Sequence, residues 1–226
     1  MTYTIIIPVY NEYRVLPSLL NKLKKLNLNE NIETIIIDDG SYDGTKDLLD
    51  DKDFFNLISY KTNLGKGAAL KAGLDKVKTE NIIIIDGDLE IDIEEIPPLI
   101  RKFEKSKKHV LTGIRWEKNA LIKLDINALG NFFINYFFNS FYHSNFNDVL
   151  CCLKIMSLDL FKSLNIESNG FEVEVETMAK LCSLNSSIVE TQISYHRRTR
   201  KEGKKLKISD GWKILKAIIY FKYNKN

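Results

Sequence analysis

Short runs of apolar, mostly β-branched residues alternate with segments of helical period through the first half of the chain. YTIIIPV (3–9), ETIIIDD (33–39) and NIIIIDGD (81–88) read as strands, and helices are expected over about 12–26, 44–51 and 65–77. The strand segments are continuously apolar rather than alternating, the pattern of strands covered by helices on both faces. This order of elements predicts an α/β chain with a largely parallel sheet. The second half is less regular: a strand is expected at HVLTGI (109–114), a long helix over 120–142, a helix after Gly170, a strand at SIVETQISY (187–195) and a last helix from about Ser209 to Tyr223. No internal repeat, low-complexity linker or boundary divides it.

The first three strands end in polar or turn residues: Tyr10-Asn11-Glu12, Asp38-Asp39-Gly40-Ser41 and Asp86-Gly87-Asp88. Ligands of open α/β sheets bind at the carboxyl ends of the strands, so these three loops converge where a ligand belongs. In the third, a run of isoleucines leads straight into Asp86, Asp88 and Glu90, which project to one side of an extended segment. Three like charges repel unless a cation lies among them, and carboxylate oxygens suit Mg²⁺ or Mn²⁺ bridging a diphosphate. A lone Asp-x-Asp after a strand is more often a solvated loop, so the reading depends on its company.

Composition narrows the class. With 226 residues, 44% hydrophobic and 28% charged, the chain suits one domain with a sizeable core. The net charge of +3 conceals an asymmetry: the segment from His196 to Asn226 carries +9 and the first 195 residues −6. Such a block is either an electrostatic footprint or a solvated face. Cys151, Cys152 and Cys182 form no CxxC pair, and with His109, His143 and His196 suggest neither a disulfide framework nor a zinc site, so a reducing, cytoplasmic location is expected. The start MTYTIIIPVYNE has no basic leader region, and no stretch offers the roughly 18 apolar residues of a membrane span. The basic tail lacks a nucleic-acid-binding motif, so no nucleic-acid partner is expected.

Four motifs supply the company: IIIPVYNE (5–12), DDGSYDGT (38–45), NLGKGAALKAG (63–73) and DGDLE (86–90). In this order the chain resembles the family 2 glycosyltransferases with the GT-A fold. The resemblance implies a Rossmann-like nucleotide-sugar-binding fold, a mostly parallel central sheet flanked by helices. It implies one domain over 1–226, with a nucleotide-sugar-binding half at about 1–115 and an acceptor-binding half with interfacial helices at about 116–226. By the same resemblance Pro8, Tyr10 and Glu12 line the nucleobase and ribose pocket, Asp39 lies at the base or ribose, and Lys66 and Gly67 belong to the nucleotide-binding loop. Asp86 and Asp88 hold the metal, Mg²⁺ or Mn²⁺, with Glu90 as a further ligand. The glycines of GKGAALKAG either let a helix start approach a ligand or pack helix on sheet, and packing is expected for Gly73.

Within the family the sequence is similar to the polyprenyl-phosphate branch, of the dolichyl-phosphate mannosyltransferase and glucosyltransferase type. DGDLE carries this, with looser matches at GIR (113–115), NDVLCCLKIM (147–156), GFEVEVE (170–176) and YHRRTRKEGKKLKISDG (195–211). Where the branch reads Asp-x-x-x-Gly-Phe-Arg-Ala, this chain has Asp148-Val-Leu-Cys-Cys152-Leu-Lys154-Ile, losing Gly and Arg but keeping a positive charge at Lys154. Arg115, Arg198, Lys204 and Lys205 are expected to hold the acceptor's phosphate. Asp88, Arg115 and Arg198 are the residues expected to carry catalysis. Among Glu172, Glu174 and Glu176, Glu174 is expected near the site and the other two in solvent.

The implied activity is a metal-dependent inverting transfer of a hexose, mannose or glucose, from GDP-mannose or UDP-glucose to a polyprenyl phosphate. The alternative keeps the fold and uses a sugar hydroxyl of a glycan or lipid-linked oligosaccharide as acceptor. A polymer-forming synthase is not expected, because Arg115-Trp116 lacks the glutamine of the Gln-x-x-Arg-Trp signature. A lipid acceptor implies a peripheral location at the cytosolic face of a membrane. Asn127, Asn131, Asn135 and Asn139 make a polar stripe on a helix otherwise rich in phenylalanine, which lies either at a membrane interface or against the sheet with its asparagines outward. The final stretch GWKILKAIIYFKYNKN fits an interfacial helix, a dimer contact or a core helix equally.

Overall fold

Each isoleucine run becomes a strand buried on both faces. The computed structural model describes residues 1–30, 32–50, 52–115, 126–199, 203 and 208–224. The elements are β1 (Tyr3–Val9), α1 (Leu16–Glu30), β2 (Glu33–Asp38), α2 (Thr45–Leu49), β3 (Asn56–Ser59), α3 (Lys66–Leu74) and β4 (Asn81–Ile84), then a 3-10 turn at Ile93–Glu95. There follow α4 (Ile96–Ser106), β5 (Val110–Ile114), α5 (Ile126–Tyr142), β6 (Lys154–Ser157), α6 (Leu158–Ser163), α7 (Val173–Ser183), β7 (Ile188–Gln192) and α8 (Ile208–Tyr223).

The strands form a 7-stranded sheet in the order β3-β2-β1-β4-β6-β5-β7. All pairings are parallel except those of β6, which runs against both β4 and β5. The sheet is therefore mostly parallel, as the sequence predicts, and β6 from the second half of the chain is inserted between two strands of the first. Alternate residues of one strand serve opposite cores. Ile5, Ile7, Ile36 and Ile83 pack with Leu16, Leu19 and Leu23 of α1 and with Leu99 and Phe103 of α4. Ile6, Ile35, Ile37, Ile82 and Ile84 pack with Leu70 of α3, Phe138 of α5, Met178 of α7 and Ile218 of α8.

Strand β1 lies between β2 and β4, so the connections leave it in opposite directions and open a crevice at the carboxyl ends of β1 and β4. Beyond β4 the pairing with β1 continues through Ile85 N–H to the Ile6 carbonyl at 3.3 Å and Gly87 N–H to the Pro8 carbonyl at 3.4 Å. That extension sets Asp86 and Asp88 beside the loop of Tyr10 and Glu12.

Several elements are not among those read from the sequence: β3, β6, α4 and α6. Helix α4 carries Ile96, Leu99, Ile100 and Phe103 at helical spacing, behind two prolines in its first turn. The short β6 is hidden within NDVLCCLKIM. Residues 120–125 of the expected long helix lie outside the described residues.

Gly73 does pack helix on sheet. A Cβ there would lie 2.8 Å from Ile6 Cγ2 and 3.0 Å from Ile37 Cδ1, whereas one at Gly130 in α5 would meet nothing within 4 Å. Overpacking costs about 1–3 kcal/mol and exceeds the helix gain from alanine of roughly 0.5–1 kcal/mol. Urea titration is therefore expected to give a lower midpoint for Gly73→Ala and a higher one for Gly130→Ala, both with unchanged slope.

Candidate active site

The loop after β1 is folded by side chains from the second motif. Thr45 Oγ1 accepts the Glu12 N–H at 2.8 Å, Ser41 Oγ accepts the Asn11 N–H at 2.8 Å, and Asn11 Oδ1 accepts the Tyr42 N–H at 2.9 Å. Asp39 then ties the second motif to the third, accepting the N–H groups of Leu64 at 2.7 Å and Gly65 at 2.8 Å. Burial pushes the Asp39 carboxyl up, opposed by these two N–H groups. Pro8, Tyr10, Glu12, Asp39, Lys66, Asp86, Asp88, Glu90, Arg115 and Arg198, all singled out from sequence, line one cleft of about 1070 Å³.

Gly67 does not line it. The position is buried, and a Cβ there would lie 2.2 Å from the Ser168 carbonyl oxygen; at Gly65 it would lie 2.3 Å from that of Asn169. Of the two roles open to this glycine, the structure shows close packing: the space its missing side chain leaves is taken by the 168–170 loop.

The acidic cluster divides its charge among three partners. Asp86 pairs with Lys66 at 2.5 Å. Asp88 accepts from Arg198 Nη2 at 3.0 Å and from the Glu90 N–H at 3.0 Å. Glu90 turns to the segment after β7, accepting the Tyr195 hydroxyl at 2.7 Å and the Arg198 N–H at 2.9 Å. Burial, and then the neighbouring charge of Asp86, push the Asp88 carboxyl up to about 6 despite Arg198. Among the described residues no three carboxylate, histidine or cysteine groups stand ready as a metal set. Asp86 and Asp88 nevertheless present hard oxygen donors to the cleft. The pair fits an Mg²⁺ or Mn²⁺ ion that shares its coordination with substrate phosphates.

The cations are equally committed. Arg198 makes a two-pronged pair with Glu12, Nη1 at 2.6 Å and Nη2 at 3.1 Å, besides its bond to Asp88. Burial pulls its pKa down, but the bond to Glu12 and the charge of Asp88 more than offset this and hold it above the usual value. Arg115 is held bidentate by Asp148, with Nε and Nη2 both at 2.8 Å, and its guanidinium lies 5.4 Å from the centre of the Tyr195 ring. Lys204 and Lys205 lie outside the described residues. Asp148 and Tyr195 are functional neighbours that sequence reasoning missed; both stand inside motifs quoted above, yet no spacing signals which distant residue each would meet.

The helix expected after Gly170 is α7, with Glu172 at its N-cap and Glu174 and Glu176 in its first turn. Glu174 meets Lys66 at 2.8 Å and also pairs with Lys154. Glu176 is not in solvent as expected: it is 0% exposed and accepts the N–H groups of Glu167 at 2.7 Å and Ser168 at 2.8 Å. Lys154 is buried behind Glu174 and is not among the cleft-lining residues, which excludes a direct acceptor contact.

Two asparagines of the stripe, Asn135 and Asn139, face inward, while the side chain of Asn127 lies outside the described residues. Asn135 and Asn139 both donate to the Phe146 carbonyl at 2.8 Å, while their oxygens accept the N–H groups of Val149 and Phe146. Leu129, Phe132, Phe133 and Tyr136 of α5 are exposed instead, together with Trp212, Ile219, Tyr220 and Tyr223 of α8. Asn131, Ile134, Lys213 and Ile214 of these two helices line the cleft. Among the described residues no helix is long and apolar enough to cross a membrane.

Comparison with known proteins agrees with this geometry. The model of the family described as glycosyl transferase family 2 matches residues 4–164. The chain is 24% identical to a dodecaprenyl-phosphate galacturonate synthase of Rhizobium johnstonii over 86% of its own length and 59% of that relative's. It is 28% identical to a dolichyl-phosphate beta-glucosyltransferase of Dictyostelium discoideum, covering 97% of this chain and 73% of the relative. The crystal structure of glucosyl-3-phosphoglycerate synthase from Mycobacterium tuberculosis with UDP superposes with a TM-score of 0.76 at 15% identity, over 100% of this chain and 81% of that one. The same enzyme with Mn²⁺, UDP and phosphoglyceric acid gives 0.73, over 100% and 80%. A family match across most of the chain, a mostly parallel sheet with helices on both faces and a cleft at its switch point lead to one assignment: the chain belongs to glycosyl transferase family 2.

Proposed function

We propose that this chain is a metal-dependent inverting transferase that moves a hexose, mannose or glucose, from a nucleotide sugar to a polyprenyl phosphate, working peripherally at the cytosolic face of a membrane. The observation that carries the reading is the composition of the cleft, which gathers Asp86, Asp88 and Lys66 with Arg115 and Arg198. Relatives whose names specify dodecaprenyl and dolichyl phosphate support the acceptor class.

On the donor side Pro8, Tyr10, Glu12 and Asp39 would receive the nucleoside of GDP-mannose or UDP-glucose, and Lys66 would face its diphosphate. Asp86 and Asp88 would hold Mg²⁺ or Mn²⁺, which supplies Lewis-acid stabilisation of the leaving diphosphate. On the acceptor side Arg198 and Arg115 would orient the lipid phosphate. A phosphate monoester is already ionised near neutral pH, so it needs positioning and charge compensation more than a general base. Direct attack at the anomeric carbon forms the new C–O bond as the bond to the diphosphate breaks, and the configuration inverts. The exposed aromatic face of α5 and α8, with Lys213 and Lys216 exposed beside it, suits an anionic membrane surface.

The acceptor class is tested by extraction. Purified protein is incubated with Mn²⁺ or Mg²⁺, a short polyprenyl phosphate in detergent, and labelled GDP-mannose, UDP-glucose or UDP-N-acetylglucosamine. Label is expected in the organic phase with one hexose donor; nucleoside diphosphate release without extractable label would keep the donor site and remove the lipid phosphate. Asp88→Ala is expected to lower transfer by roughly 100-fold or more, the rate equivalent of a metal's several kcal/mol; wild-type turnover would take Asp88 out of the site. For the membrane face, Phe132→Ser with Phe133→Ser is expected to reduce co-sedimentation with phosphatidylserine vesicles while leaving the urea midpoint unchanged, and undiminished sedimentation would remove α5 from the contact.

A further inference from the structure

A chain of alternating charge runs from the cleft into the core. Asp86 meets Lys66 at 2.5 Å, Lys66 meets Glu174 Oε1 at 2.8 Å, Glu174 Oε2 pairs with Lys154, and Lys154 Nζ ends the chain on the Cys151 carbonyl at 2.6 Å. The four side chains come from four places: the extension of β4, the start of α3, the first turn of α7 and the start of β6. Exposure falls off inward, from 29% for the side chain of Asp86 to 7%, 8% and 2% for Lys66, Glu174 and Lys154. Asp86, Lys66 and Glu174 all line the cleft, and Lys154 does not.

Burying such a series is not an efficient way to stabilise a fold, because desolvation of each ion cancels much of the attraction and apolar side chains of similar volume serve as well or better. What an apolar filling cannot do is fix the far end of a long side chain. Lysine carries about 2 kcal/mol of rotamer freedom and presents a point charge without a planar fork, so its ammonium stays in one place only if other groups hold it there. Glu174 does this for Lys66 together with Asp86. Glu174 is in turn fixed by Lys154, which the Cys151 carbonyl anchors to the backbone leading into β6.

We propose that Glu174 and Lys154 are positioning residues that hold the Lys66 ammonium against the diphosphate of the bound nucleotide, Lys154 acting wholly through Glu174 and Lys66. The inference rests on the donor-site reading above. It assigns a task to Lys154, the residue that departs from the arginine of the resembling branch, and explains how it serves the cleft without lining it.

The test is a double-mutant cycle read by calorimetric titration of UDP and of GDP in the presence of Mn²⁺. Lys154→Met is expected to weaken the nucleotide that binds on the order of tenfold, the scale of a lost supporting contact. In a Lys66→Ala background the same change is expected to cost less than about twofold, because the residue it acts through is gone. Lys154→Arg, which keeps the charge, is expected to restore most of the affinity. If Lys154→Met does not fold, Glu174→Gln is carried through the same cycle with the same expectation. Equal losses in both backgrounds, or no loss in the first, would overturn the positioning role while leaving the donor site standing. Absence of nucleotide binding by the wild-type chain would overturn the donor-site reading and the inference with it.

Discussion

Carboxylates gathered at the ends of β1 and β4 must be neutralised by cations that the neighbouring sequence does not supply, and much of the second half of the chain is arranged to meet that demand. Arg198 reaches Glu12 across 186 residues of sequence and Asp88 across 110. Lys66 joins Asp86 to Glu174, and Glu90 fastens the segment of Tyr195 and Arg198 to the acidic loop. Removing one partner of such a buried pair costs about 3–5 kcal/mol, since the other charge stays behind uncompensated. The ion pairs are thus the joints by which β7 and its following segment, α7 and β6 are fixed against the donor loops.

The same balance bears on how ligands enter. In the arrangement observed, Asp88 and Glu12 are satisfied by Arg198 and Asp86 by Lys66. A diphosphate arriving alone would add negative charge beside the carboxylates of Asp86 and Asp88. A divalent cation and a diphosphate arriving together bring opposite charges of similar size and leave the balance nearly as it was. On the proposed reading, joint entry also lets Arg198 loosen its hold on Asp88 and turn toward the acceptor phosphate, so that one guanidinium serves the cleft before and after the donor is seated.

The fold was legible where a local pattern determines it. Continuous isoleucine runs required two covered faces, and helix-period segments between them required parallel crossovers. The strand ends held the acidic and turn residues that the cleft collects. What was not legible depends on distance. The pairing of Arg115 with Asp148, of Glu90 with Tyr195 and of Lys154 with Glu174 follows from how β6 and β7 enter the sheet, and no spacing within one segment encodes it. Gly67 shows a related limit: a glycine at a helix start signals that something comes close, without saying whether it is a ligand or, as here, the backbone of Ser168.

Helix α5 shows how a regular pattern can be read in the wrong direction. Four asparagines spaced by four look like a solvent stripe because amides prefer water. Asn135 and Asn139 instead satisfy the backbone of the turn around Phe146, which would otherwise hold buried polar groups without partners. With these two amides turned inward, Phe132, Phe133 and Tyr136 are left outside, and α8 adds Trp212 and Tyr223. A transferase with a small soluble acceptor gains nothing from an aromatic face beside its cleft and risks association through it. On the proposed reading, an acceptor that is a phosphate on an isoprenoid gives that face a use, because seating it in the lipid surface would carry the cleft, lined in part by the same two helices, toward the phosphate.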